Sequence, residues 1–62
     1  MDIVSEIVAY RARHNISQEE FARRAKLSKQ TINSIENGLQ NPTQLTIAKI
    51  KLLIDSDEKE NS

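Results

Sequence analysis

SQEEFARRAKLSKQTINSIEN, residues 17–37, reads as two short helices joined by a tight turn. Ser17 is an N-cap residue, and Glu20 three positions later completes a capping box. Phe21, Ala22 and Ala25 then share one face of a helix over residues 18–25. Ser28 caps a second helix over residues 29–37, which leaves Lys26 and Leu27 as the turn. Ile32 and Ile35, three apart, face inward, and Asn37-Gly38 stops the helix because both residues tolerate positive φ. Lys29, Gln30, Asn33, Ser34 and Asn37 are left outward, a face with no acid, no large apolar group and many hydrogen-bonding heads. Helix nucleation is costly, so two helices this short need the rest of the chain to hold them.

On the N-terminal side, residues 2–14 form a first helix. Asp2 is its N-cap, and Ile3, Ile7, Tyr10 and His14 recur at helical spacing with Arg11 at the stripe's edge. Val4 and Val8 make a flanking stripe. Asn15 ends this helix in a left-handed conformation, and Ile16 staples onto Phe21. On the C-terminal side, Pro42 keeps Asn41 extended and Thr43 caps a fourth helix that ends at Ile54. Ile47, Ile50 and Ile54 are its inward stripe with Ala48 beside them, while Leu45, Leu52 and Leu53 make it apolar on more than one face. Residues 55–62, DSDEKENS, have the composition of a disordered tail. The expected organisation is one all-α domain over residues 1–54, a bundle of four to five short helices, followed by that acidic tail.

Sixty-two residues permit a single small core. With no cysteine and one histidine there is no disulfide, no thiolate nucleophile and no Cys- or His-rich metal site, so no metal or cofactor is expected. No apolar run approaches a membrane span and no basic-then-apolar leader opens the chain, so a cytoplasmic protein is expected. The formal net charge is zero, but residues 11–51 carry a net of +5 and both ends are acidic. The basic excess coincides with the two short helices. No nucleophile–base set and no phosphate-cradling glycine loop is present, so an enzyme is not expected.

The stretch resembles the helix-turn-helix domains of the Cro and phage-repressor type. The resemblance rests on Ser17, Gln18, Glu20, Phe21, Ala22, Leu27, Ser28, Thr31, Ile32, Ile35, Glu36, Gly38 and Pro42, in order and correctly spaced. It covers roughly residues 10–54 and implies a lambda-repressor-like fold whose second motif helix enters the major groove of double-stranded DNA. It implies that Lys29, Gln30, Asn33 and Ser34 read bases. Lysine donates to guanine, and glutamine or asparagine pairs doubly with adenine. It further implies phosphate contacts at Gln18, Ser28, Thr31, Asn37, Gly38 and Leu39. Gln18 also braces the first base-reading side chain, and the 37–39 loop donates backbone amides. Arg23, Arg24 and Lys26 are secondary phosphate candidates. Arg11 and Glu36 match a pair that bridges the core in similar repressors. Apart from the resemblance, so small a domain cannot bury Val4, Val8, Leu45, Leu52, Leu53 and Ile54 all at once, so a two-fold self-contact is expected at Leu52, Leu53 and Ile54.

The sequence departs from the family pattern at three places. Lys26 replaces the usual turn glycine, which strains a left-handed position by about 1 kcal/mol. Lys51 replaces a small residue in the fourth helix, and residues 55–62 carry no convincing pattern for a fifth helix. The function implied is transcriptional regulation on an operator, as a repressor of phage or mobile-element type acting as a homodimer. The rival is a helix-turn-helix module whose partner is another protein, as in an antirepressor or antitoxin; the neutral charge and the apolar residues 52–54 favour it.

Overall fold

The computed structural model describes residues 2–60, with side chains through Asp57. Four helices follow in order: α1 (Ile3–His14), α2 (Gln18–Arg24), α3 (Lys29–Glu36) and α4 (Gln44–Glu60). No strand occurs among the described residues, so the fold is all-α. Helix α3 packs on α2 and α1, and α4 packs on α1.

Each helix starts on a side-chain cap. Asp2, Ser17, Ser28 and Thr43 accept the amide hydrogens of Ser5, Glu20, Thr31 and Thr46, at 2.8, 3.1, 3.1 and 3.2 Å. These bonds satisfy donors that a helix end otherwise leaves orphaned. The capping box at Ser17 is only half made, because the Glu20 carboxylate turns to Arg23 and Arg24.

The first three helices stop in the same way. Asn15, Lys26 and Gly38 sit at φ 54°, 59° and 72°, in the left-handed region. Each donates its amide to the carbonyl three residues back, and the next residue donates to the carbonyl five back. Ile16 reaches Arg11 at 3.0 Å, Leu27 reaches Ala22 at 2.8 Å and Leu39 reaches Ser34 at 2.9 Å. This paired closure needs positive φ at its first residue. Asparagine and glycine supply it readily; lysine does so with strain.

Ile7, Tyr10, Phe21, Ala22, Ala25, Ile32, Ile35, Ile50 and Ile54 form the core, with Ile3, Val4, Ile16, Leu27 and Leu53 packed around it. The ring of Tyr10 meets Phe21 edge-on, 5.4 Å between centroids. Its hydroxyl accepts from Arg24, 3.3 Å away. Each fully buried isoleucine or phenylalanine here is worth about 1.5–3 kcal/mol of desolvation.

Three expectations for the C-terminal third need correction. Helix α4 does not end at Ile54 but continues through Glu60, so the acidic segment is helical over most of its length; residues 61–62 lie outside the described residues. Within this stretch Asp57 is buried and accepts from Arg13 at 3.1 Å while lying 2.8 Å from His14 Nε2. Ile47, Ile50, Ile54 and Asp57 are one continuous stripe, whose last member pins the helix end to the C-terminus of α1. Ile54 belongs to the core and Leu53 is half-buried against it, so of the three residues expected at a dimer contact only Leu52 stands clear. Ala48 is also exposed, not inward.

Candidate nucleic-acid interface

Helix α3 owes its place to Ile32 and Ile35, both fully buried, which anchor one side and turn the other out. Lys29, Gln30 and Asn33 are exposed and Ser34 is half-exposed, so the four expected readers lie together on the outward side. No acidic side chain of α3 shares that side; its one acid, Glu36, faces α1.

The Arg11–Glu36 pair is present. Arg11 Nη1 lies 2.9 Å from each Glu36 carboxylate oxygen, and Arg11 Nε donates to the Ile16 carbonyl at 3.3 Å. One guanidinium therefore ties the end of α1, the loop before α2 and the end of α3. The side chains retain 26% and 11% exposure, so the pair lies at the core's edge rather than inside it.

Gln18 braces α3, but not at its first reader. Its Oε1 accepts from Asn33 Nδ2 at 3.1 Å, and Asn33 Oδ1 in turn accepts from Asn37 Nδ2 at 3.2 Å. Lys29 and Gln30, at the start of α3, make no side-chain hydrogen bond to Gln18. The geometry is simple: a side chain at the start of α2 reaches the second turn of α3, where Asn33 has a complementary head. This three-amide chain is not evident in the sequence, because its members are 15 and 4 residues apart on different elements.

The loop after α3 also differs from expectation. The backbone amides of Asn37, Gly38 and Leu39 are all engaged, with the carbonyls of Asn33, Ile35 and Ser34 at 3.0, 3.1 and 2.9 Å. They close the helix and are not available to a phosphate. Among the described residues, the amides of Gln40 and Asn41, next along the exposed loop, find no hydrogen-bond acceptor. At the other end of α3, the Ser28 and Thr31 hydroxyls share one hydrogen bond of 2.7 Å. Two hydroxyls carry two hydrogens, so one remains to donate outward.

The cations sort into two groups. Arg23 and Arg24 both bond Glu20, and Arg24 also bonds Tyr10. The Arg24 hydrogen bond, ahead of the neighbouring charges, holds the Glu20 carboxyl below its ordinary range, and its one negative charge offsets one of the two guanidiniums. Among the described residues, Lys26 and Lys29 carry no ion pair. Asp57, Tyr10–Arg24 and the Gln18–Asn33–Asn37 chain are the interactions that sequence reasoning missed. Only Asp57 left a signal, as the polar continuation of the α4 stripe opposite a histidine on the α1 stripe. Among the described residues, no group of three His, Asp or Glu is placed to hold a metal ion, and no helix is long and apolar enough to cross a membrane.

An uncharacterised helix-turn-helix-type transcriptional regulator of Methanocaldococcus jannaschii is 44% identical over 41 residues, 66% of this chain. The match spans 62% of that relative's length. No solved structure matches. A helix-turn-helix family model matches residues 7–56, from the middle of α1 to within a residue of Asp57, and the chain belongs to that family.

Proposed function

We propose that the chain is a sequence-specific double-stranded DNA-binding regulator that represses by covering an operator. The observation that carries this reading is the outward side of α3. It is acid-free and anchored from behind by two buried isoleucines, and it presents Lys29, Gln30, Asn33 and Ser34 together. A helix of that width and polarity suits the major groove, where lysine reads guanine and amides read adenine. Phosphates are held by Gln18 Nε2, by the free hydroxyl of the Ser28–Thr31 pair and by Lys26. The Gln40 and Asn41 amides take the place first assigned to Asn37, Gly38 and Leu39. The M. jannaschii relative, by its name a transcriptional regulator, supports the same reading. Titration of labelled random duplex over a range of salt tests it. Binding should be measurable at low salt and fall steeply as salt rises, as counterion release demands.

One helix reads few base pairs, so the chain acts as a homodimer on two half-sites. Helix α4 supplies the contact. Leu45, Ala48 and Leu52 are exposed, Leu52 at 69%. Leu52 is two residues from both Ile50 and Ile54, so it lies on the side of the helix opposite the core. Antiparallel pairing of two α4 helices about a two-fold axis at Leu52 sets Lys49 opposite Asp55, three residues either side, so the contact is charge-complementary. Leu52→Ser should shift sedimentation towards monomer, and pairing Lys49→Glu with Asp55→Lys should restore what either alone loses.

A protein-binding module remains the second reading. A groove of about 250 Å³ between α2 and α4 is lined by Leu52 and Leu53 and flanked by Lys26 and Lys49. Absence of any duplex binding at low salt would favour it.

A further inference from the structure

We infer that Asn37 is a specificity-determining residue, setting from one turn away the order in which Asn33 presents its donor and acceptor to a base. The inference rests on the DNA-reading role of α3 proposed above. Its ground is the amide chain Asn37→Asn33→Gln18, with bonds of 3.2 and 3.1 Å. A carboxamide has two hydrogens on nitrogen and two lone pairs on oxygen. Each of these bonds uses one of the pair, so Asn33 keeps one N–H and one lone pair. That is the complement of the adenine N7 and N6–H₂ edge in the major groove.

Oxygen and nitrogen of an amide are nearly isosteric, so which of them faces Asn37 is decided by hydrogen bonding alone. The Asn33 backbone does not choose. Asn37 now donates, which draws Asn33 Oδ1 towards the C-terminal end of α3 and sends Nδ2 towards Gln18. All three members are amides, so the same side chains can run in the opposite direction. In that direction Asn33 Nδ2 faces residue 37, Oδ1 faces residue 18, and the order shown to DNA is reversed. Oδ1 would then oppose adenine N7, acceptor against acceptor. The neighbours therefore act as a polarity switch on the reader.

Carboxylates only accept, which makes the switch testable with two variants of equal charge. Gln18→Glu accepts from Asn33 Nδ2 and locks the observed direction. Asn37→Asp also accepts only, so it locks the reversed one. Asn37→Ala removes the donor without adding charge. Thermal unfolding checks that each variant folds, and Asn33→Ala identifies which base pair Asn33 reads. Selection from random duplex DNA is then compared across the set. Both acidic variants should bind more weakly overall, since each adds a negative charge near phosphates. At the Asn33 base pair, Gln18→Glu should keep the wild-type preference, expected to be tenfold or more for a two-bond contact. Asn37→Ala should weaken that preference and Asn37→Asp should abolish it. The Asn33 side-chain amide resonances of the free protein give a readout without DNA, and should differ between the two acidic variants.

Equal preferences in Gln18→Glu and Asn37→Asp, with wild-type selection intact, would overturn the inference. So would Asn33 amide resonances that move alike in both. A wild-type chain that selects no sequence overturns instead the DNA reading beneath it.

Discussion

Replacing either member of the Arg11–Glu36 pair should weaken the fold unequally, with Arg11 the more costly loss. Arg11 makes two 2.9 Å contacts to one carboxylate and a third bond to the Ile16 carbonyl. Removing one partner of a fully buried pair costs about 3–5 kcal/mol, and a hydrogen bond to a charged group is worth about 1.5–3 kcal/mol. The pair lies between these limits. In Arg11→Met, the Glu36 carboxyl, 11% exposed, loses both of its hydrogen-bond contacts to Arg11, and the Ile16 carbonyl loses its donor. The expected loss is ~2–3 kcal/mol. In Glu36→Leu, Arg11 is 26% exposed, still bonds Ile16 and recovers water, so the expected loss is ~1–2 kcal/mol. The double replacement should cost ~1–2 kcal/mol less than the sum, because neither charge is then stranded. Urea unfolding with an unchanged slope measures all three. Losses of a few tenths in each single variant that add in the double would show two independent surface charges, and the cross-linking role of Arg11 would be refuted.

Lys26→Gly should stabilise the chain by ~0.5–1 kcal/mol, since glycine takes φ 59° without a Cβ clash; an unchanged or lower melting temperature would deny that the turn is strained. Asp57→Ala should cost ~1–2 kcal/mol and speed hydrogen exchange beyond Ile54, because the α4 end loses its hold on Arg13 and His14; unchanged exchange there would mean the helix end stands by itself. Gln30→Ala should reduce cognate binding by ~1–3 kcal/mol and relax preference at one base pair, whereas Arg23→Ala, already engaged with Glu20, should lower affinity slightly and evenly; an even loss from Gln30→Ala would make it a phosphate contact. Acid unfolding has a sign that Asp2 fixes. The Ser5 amide it accepts holds its carboxyl below the ordinary value of 3.8, so the stability it adds is present above that pH and disappears as pH falls through the lower folded value. Asp2→Asn keeps the cap and should flatten that acidic limb.

What was legible in the sequence was local chemistry. Asp2, Ser17, Ser28 and Thr43 announce helix starts because a short acceptor side chain ahead of an apolar period has little else to do. Asn15 and Gly38 announce stops for the corresponding reason. Lys26 was legible only through the resemblance, since lysine by itself carries no sign of positive φ. The buried faces followed from spacing, with Ile7, Tyr10, Phe21, Ile32, Ile35, Ile50 and Ile54 all in the core. The reading failed where composition was allowed to outvote spacing. DSDEKENS looks like a solvated tail, yet Asp57 falls on the α4 stripe and meets His14 from the α1 stripe, so the segment helps close the fold. The amide chain on the outward side of α3 was not legible at all, because hydrogen-bonding direction between exposed amides depends on where α2 places Gln18 against α3. That the backbone amides of Asn37, Gly38 and Leu39 close α3 was likewise not legible, because the paired bonds depend on the conformation at Gly38 and not on side-chain type.

The most direct measurement is selection from random duplex DNA with the purified chain, repeated with Gln30→Ala and Asn33→Ala. The expected result is a recovered two-fold motif, its half-sites about one helical turn apart, in which each variant relaxes a different base pair within the half-site. Recovery of no motif, with no duplex binding even at low salt, would contradict the DNA-reading role of α3.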